Sequence, residues 1–150
     1  MSDVPADVAD GFAAAGYRAL GELGRGAFGV VYAAESEAGA PLAIKVLATR
    51  DPQVLQRFRA EARLLGRIEH DGVIRVLGTG ALQDGQPYIV MERFGDASLD
   101  REVPLGCAVP MAKAVDLARQ LLESLAAAHA VGVVHRDVKE SNVLIERATG

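Results

Sequence analysis

Gly24-Arg25-Gly26-Ala27-Phe28-Gly29-Val30-Val31-Tyr32 is the stretch that decides between two folds. Its glycines follow a G-x-G-x-x-G spacing, a weak signal alone, because dinucleotide-binding Rossmann domains use the same one. The residues after the last glycine separate the two. A Rossmann loop opens a helix whose N-terminus meets a pyrophosphate. Here the loop opens onto Val30-Val31-Tyr32, a β-branched and aromatic run that favours a strand. The chain also reads as extended from Tyr17, and Leu20, Leu23, Val30 and Val31 bracket the glycines. The loop is therefore expected at the tip of a β-hairpin. Glycines there let backbone amides approach phosphates with no Cβ in the way, although an ordinary glycine-rich hairpin has the same pattern. Before the loop, residues 1–16 are alanine-rich with scattered aspartates and fit either a short capping helix or a loose arm.

A turn at Glu37-Ala38-Gly39 leads into Pro41-Leu42-Ala43-Ile44-Lys45-Val46-Leu47. Alternation puts Leu42, Ile44 and Val46 on one face of a strand, with Ala43, Lys45 and Leu47 on the other. A lysine in so apolar a strand must either reach water from a sheet edge or meet an acid. Asp51-Pro52 then signals a helix start, with the helix expected to run to about Ile68. Its inward stripe is expected to be Val54, Phe58, Glu61, Leu65 and Ile68. A carboxylate in the middle of that stripe calls for a cation, and Lys45 is the unexplained one. Buried pairs of this kind also occur for purely structural reasons.

Val73 to Leu82 and Pro87 to Glu92 read as two strands around the turn signal Asp84-Gly85. Tyr88-Ile89-Val90-Met91-Glu92 then breaks into Arg93-Phe94-Gly95, and Asp96 to Pro110 reads as a short irregular crossing. A long helix is expected from Pro110 or Met111 to about Ala130. Its apolar stripe reads Val115, Ala118, Leu122 and Leu125, flanked by Leu121 and Ala128. His129 is expected to cap or pack, and Gly132 to end the helix. Val133-Val134 carries the chain into His135-Arg136-Asp137-Val138-Lys139-Glu140-Ser141-Asn142, which sets a carboxylate, an ammonium and a carboxamide within six residues. Phosphoryl transfer needs these three: one to orient a hydroxyl, one to neutralise phosphate, one to hold Mg²⁺.

Together these stretches resemble the protein kinase family, and most nearly the bacterial eukaryotic-like serine/threonine kinases. The resemblance rests on Gly24 to Val31, on Ala43-Ile44-Lys45 with Glu61, and on His135 to Asn142. It implies an α+β fold: a small lobe at 17–92 built of an antiparallel sheet and one helix, a hinge at 93–95, and a partial helical large lobe at 96–150, after an N-terminal arm at 1–16. It implies binding of ATP with Mg²⁺ and transfer of phosphate to serine or threonine hydroxyls of proteins. Leu23, Gly24, Gly26, Gly29, Val31 and Ala43 would line the nucleotide. Lys45, held by Glu61, would grip its phosphates. Met91 would stand at the back of the pocket, although on sequence alone it reads as a core methionine. Backbone groups at Glu92 and Phe94 would bond the adenine. Asp137 would take or orient the hydroxyl proton, Lys139 would lie near the γ-phosphate, and Asn142 would bind Mg²⁺. Arg136 marks the type switched on by activation-loop phosphorylation. His135 and His70 would be structural. Glu69-His70-Asp71-Gly72-Val73-Ile74 departs mildly from the family's His-Pro-Asn-Ile.

Composition narrows the surroundings. The 150 residues, half of them hydrophobic, suffice for one domain with a sizeable core. Sixteen basic against 20 acidic residues give a net charge of −4, which argues against broad nucleic-acid affinity. Cys107, the single cysteine, has neither a disulfide partner nor metal-site spacing and reads as an incidental loop thiol. No run reaches the roughly 20 apolar residues of a membrane span, and Asp3, Asp7 and Asp10 do not suit a secretory signal. A soluble, cytoplasmic protein is expected.

The sequence contains no Asp-Phe-Gly after Asn142 and no Ala-Pro-Glu, so it holds only part of the kinase motif set. Two consequences are expected. Mg²⁺ lacks a charged oxygen ligand beside the neutral Asn142, and the apolar face of the long helix lies partly exposed. Efficient transfer by these residues alone is not expected. The alternative reading is an inactive kinase fragment that binds nucleotide or a partner.

Overall fold

A computed structural model describes residues 4–26, 29–95, 97–103 and 106–145, with Glu61 described by its backbone only. The chain divides into two compact units, one of Met1–Arg67 with Ile74–Arg93 and the other of Ile68–Val73 with Phe94–Gly150.

The first unit is a five-stranded antiparallel sheet with two helices. Its elements are α1 (Ala6–Ala14), β1 (Tyr17–Gly26), β2 (Gly29–Ser36), β3 (Pro41–Leu47), α2 (Pro52–Leu65), β4 (Val76–Ala81) and β5 (Pro87–Glu92), with strand order β1-β2-β3-β5-β4. The Gly24 to Gly29 stretch joins β1 to β2, with Gly26 paired to Gly29, so it forms a hairpin as expected. Ala27 and Phe28 at its tip lie outside the described residues. Alternation along β3 also holds, since Leu42, Ile44 and Val46 are buried.

These three side chains join Tyr32, Ala34, Tyr88 and Val90 in a core, and α1 closes it with Val8 and Phe12. Residues 6–14 are thus the capping helix rather than a loose arm. Phe12 is fully buried and meets Tyr32 and Tyr88 edge-on, with ring centroids 5.9 and 5.7 Å away. Edge-to-face pairs of this kind add to the stabilisation from burial itself. The Tyr88 ring lies over Gly80, where any Cβ would fall 2.3 Å from it. At the far end Arg50 pairs with Asp84 in the β4–β5 turn, and its Nε donates to the Asp84 carbonyl at 3.2 Å.

Several boundaries differ from expectation. Helix α2 starts as read, with Asp51 Oδ1 accepting the Gln53 N–H at 2.8 Å and Pro52 in its first turn. It ends at Leu65 and not near Ile68, because Gly66 caps it by donating to the Ala62 carbonyl at 2.9 Å. Ile68 is buried beyond the helix, in the second unit. Val54, expected inward, is 43% exposed; Phe58, Ala62 and Leu65 are more buried, which rotates the packed face away from the first turn. β4 begins at Val76 rather than Val73, since Val73 closes a turn back to the His70 carbonyl.

The second unit holds α3 (Leu99–Glu102), α4 (Met111–Ala130) and a 3-10 turn at Glu140–Asn142. The short α3 corrects the reading of 96–110 as wholly irregular. Gly132, with φ of 82°, ends α4 as expected. The packed face of α4 differs from the expected stripe. Ser124 and Ala128 are buried and Leu117, Leu121 and Leu125 half-buried, while Val115 and Leu122 stand more than 60% exposed. Ser124 selects that face. Its hydroxyl donates to the Gln120 carbonyl at 2.8 Å, and a Cβ at Gly72 would come within 2.1 Å of its Oγ. The 68–73 segment therefore lies flush on α4, and His70 holds it by accepting the Gly72 N–H on Nδ1 at 3.0 Å. His129 is exposed rather than packed. Cys107 is exposed, as a loop thiol should be.

Candidate active site

In the first unit, strand register gathers most of the expected nucleotide residues on one side of the sheet. Residues directly opposite across an antiparallel pair share a face, and alternate residues along a strand return to it. Val31 is paired with both Gly24 and Lys45, Lys45 with Ile89, and Ala43 with Met91. Gly26 pairs with Gly29, and Gly29 with Leu47. Gly24, Gly26, Gly29, Val31, Ala43, Lys45 and Met91 therefore share the face opposite the Phe12 core. Lys45 is half-buried there. Leu23 is exposed, next to an irregularity in the β1–β2 register. Glu61 lies in α2, but its side chain falls outside the described residues, and so does the expected pair with Lys45.

The three glycines do different work. Gly29 has φ of 140°, and a Cβ on it would sit 2.0 Å from the Val46 carbonyl oxygen, so its small size is required by the sheet itself. Among the described residues, Gly24 and Gly26 have nothing within 4 Å of a built Cβ. Space beside them is open on the side that carries Lys45. Two glycine backbones facing open space next to a half-buried ammonium suit a phosphate chain. This donor set therefore fits ATP.

At the end of β5, Glu92 uses its N–H and its carboxylate on Arg75. Its N–H donates to the Arg75 carbonyl at 3.0 Å, and its carboxylate accepts the Arg75 N–H at 2.8 Å. Phe94 is half-buried and belongs to the second unit.

In the second unit, Asp137, Lys139 and Asn142 form one polar cluster. Lys139 Nζ lies 3.1 Å from Asp137 Oδ2. Asn142 Nδ2 donates to the same oxygen at 3.0 Å and to the Asp137 carbonyl at 2.8 Å. The Lys139 ammonium, and then the Asn142 carboxamide, hold the Asp137 carboxyl below the usual carboxylate range. Asp137 Oδ1 and Asn142 Oδ1 make none of these bonds. The backbone arranges the cluster. Arg136 takes φ of 62°, the only positive value at a non-glycine among the described residues. Such a conformation costs on the order of 1–3 kcal/mol and needs outside support. Support comes from His135, whose Nδ1 accepts the Asp137 N–H at 3.2 Å, a structural role as expected. Leu144 then pairs with Ser98, and Val143 accepts the Leu99 N–H at 2.8 Å, which anchors the loop's exit.

Sequence reading missed Phe12 and the left-handed Arg136. The first sat unmarked in an alanine-rich run. The second has no signal in residue type, because arginine is not a residue that favours that region. Among the described residues no group of three or more histidine, cysteine, aspartate or glutamate side chains is placed to hold a metal ion. No helix among them is long and apolar enough to cross a membrane.

Comparison with known proteins identifies the family. The protein kinase domain family matches residues 17–150, and the chain belongs to that family. Among similar proteins is the serine/threonine-protein kinase Pkn1 of Myxococcus xanthus, 36% identical over 138 residues, 89% of this chain and 20% of that protein. The serine/threonine-protein kinase PknK of Mycobacterium tuberculosis is 36% identical over 148 residues, 97% of this chain and 13% of its own length. Serine/threonine-protein kinase 10-A of Xenopus laevis is 35% identical over 130 residues, 84% of the chain and 13% of that protein. The chain thus spans a fifth or less of the length of these relatives.

Proposed function

We propose that this chain carries the nucleotide-gripping face and the hydroxyl-orienting loop of an ATP-dependent serine/threonine protein kinase. The observation that carries this reading is the Asp137–Lys139–Asn142 cluster, with its ionised carboxylate and adjacent ammonium. The roles follow from the chemistry of each group. Backbone amides at Gly24 and Gly26 take phosphate oxygens, and Lys45, paired with Glu61, neutralises the α- and β-phosphates. Val31, Ala43 and Met91 supply the apolar wall for the base, and backbone groups at Glu92 and Phe94 its polar edge. Asp137 orients the serine or threonine hydroxyl through its unengaged oxygen. The hydroxyl oxygen bonds to the γ-phosphorus, the bond from phosphorus to the β-phosphate oxygen breaks to release ADP, and the hydroxyl proton passes to Asp137. Lys139 turns from Asp137 to the transferring phosphate, whose charge its ammonium offsets. Mg²⁺, when bound, supplies further neutralisation of the phosphates, and Asn142 offers it a carboxamide oxygen.

A phosphotransfer assay tests the reading. Protein purified from its own cells is given radiolabelled ATP, Mg²⁺ and a mixed protein substrate, beside an Asp137→Asn variant made in the same cells. Label on serine and threonine, lower by a factor of about 100 or more in the variant, is the expected result, because general-base assistance is typically worth 10²–10⁴-fold. Saturable nucleotide binding with no transfer would instead favour a nucleotide-binding module.

A further inference from the structure

Helix α1 precedes the residues matched by the kinase family, yet it carries the most deeply buried aromatic side chain of the first unit. Gly11 shows how closely it sits, since a Cβ there would come 2.7 Å from Leu82 Cδ2. Phe12 touches Tyr32 of β2 and Tyr88 of β5, the two strands that flank β3. Tyr32 stands opposite Ile44 and Tyr88 opposite Val46, and the residue between Ile44 and Val46 is Lys45, on the other face. The same Tyr32 is tied to the glycine loop through β1, because it pairs in register with Glu22, whose carboxylate accepts from Arg25 at 2.7 Å. One ring thus sits behind both groups that would grip phosphate.

We propose that Phe12 is a positioning residue for nucleotide phosphates, fixing Lys45 and the glycine loop from the far side of the sheet through Tyr32 and Tyr88. The proposal rests on the reading of Lys45, Gly24 and Gly26 as phosphate-binding groups and adds α1 as the element that holds them in place. A closely packed interior passes a displacement on one face of a sheet to the other. Phosphate contacts depend on placement within a fraction of an ångström, whereas the apolar wall for the base tolerates more. Loss of the ring should therefore act on phosphate binding selectively.

The test is calorimetric titration of the parent, Phe12→Ala and Phe12→Leu chains with a non-hydrolysable Mg·ATP analogue and, separately, with adenosine. All titrations are run at a temperature where circular dichroism shows each chain folded. Phe12→Ala should bind the analogue about tenfold more weakly, equivalent to about 1.4 kcal/mol, with adenosine affinity unchanged. Phe12→Leu keeps the core filled but loses the edge-on ring contacts, and should lose about threefold. That variant carries the test should Phe12→Ala fail to fold. Variants that bind the analogue as the parent does overturn the proposal alone. Equal losses for analogue and adenosine also overturn it, because they indicate a general structural role. A parent that does not bind the analogue overturns the reading beneath and the proposal with it.

Discussion

The sheet unit and the helical unit hold their candidate functional groups in opposite ways. In the first, Phe12, Ile44 and Val90 leave at most 2% of their surface to solvent, and α1 seals the face behind Lys45. In the second, Met111, Val115, Leu122, Val134 and Val138 are each at least half exposed, and Asp137 is held by bonds to residues within five positions of it. The groups proposed to grip phosphate thus stand on a closed core, and those proposed to orient the hydroxyl on a short loop with its own local bonds. Substitutions in the packed core of the first unit should accordingly be costly, and those on the exposed stripe of α4 in the second should not.

The largest effect is expected at Phe12. Phe12→Ala should lower stability by about 3–5 kcal/mol in urea titration, the cost of emptying an aromatic site in a packed core. Gly29→Ala should come next at about 1–3 kcal/mol, because it forces a disfavoured φ against the Val46 carbonyl. Gly24→Ala and Gly26→Ala meet nothing within 4 Å among the described residues and should leave the urea midpoint in place while weakening binding of an ATP analogue. Equal stability losses at all three glycines would erase the distinction between the glycine the sheet needs and those the ligand needs. In the second unit, Gly72→Ala drives a Cβ against Ser124, with an expected cost of about 1–3 kcal/mol, partly restored by a paired Ser124→Gly change.

Smaller effects separate local bonding from packing. Replacing Lys139 with methionine removes the first cause of the low Asp137 pKa, so the Asp137 carboxyl should titrate at higher pH in a carboxyl NMR titration. The sign is fixed by the depressed value. The bonds to ionised Asp137 are intact above the ordinary carboxylate pKa and are lost as pH falls through the lowered folded value. In the variant that loss should begin at higher pH. Leu122→Ser should change stability by no more than about 0.5 kcal/mol, as for other exposed positions. A large loss there would show that the exposed stripe of α4 is covered in solution.

How much was legible in the sequence depends on how local each feature is. The glycine hairpin and the β3 alternation are specified by neighbours within ten residues and were read from residue types, whereas the Asp137–Asn142 loop was placed by its resemblance to the kinase family and the left-handed Arg136 left no signal. The face of α4 was misread because apolar residues lie on both sides of it. Leu117, Leu121 and Leu125 pack, while Val115 and Leu122 do not, and the choice is made by Gly72, some 50 positions earlier. Val54 failed for a similar reason, since helical spacing gives a stripe but not its centre. Val8 and Phe12 stand four apart on one face of α1, but the ring's partners are Tyr32 and Tyr88, on strands that had first to be placed. The pairing of Lys45 with Glu61 remains a proposal that rests on sequence and family.

The most direct test of the two-unit account compares Lys45→Met and Asp137→Asn in the same protein, measuring affinity for an ATP analogue by calorimetry and phosphate transfer by radiolabel. Lys45→Met should weaken nucleotide binding by about tenfold to a hundredfold, the worth of a charge-assisted contact. Asp137→Asn should bind nucleotide as the parent does and transfer no phosphate. If Asp137→Asn loses nucleotide affinity as far as Lys45→Met does, or if Lys45→Met binds unchanged, the assignment of gripping to one unit and hydroxyl orientation to the other is wrong.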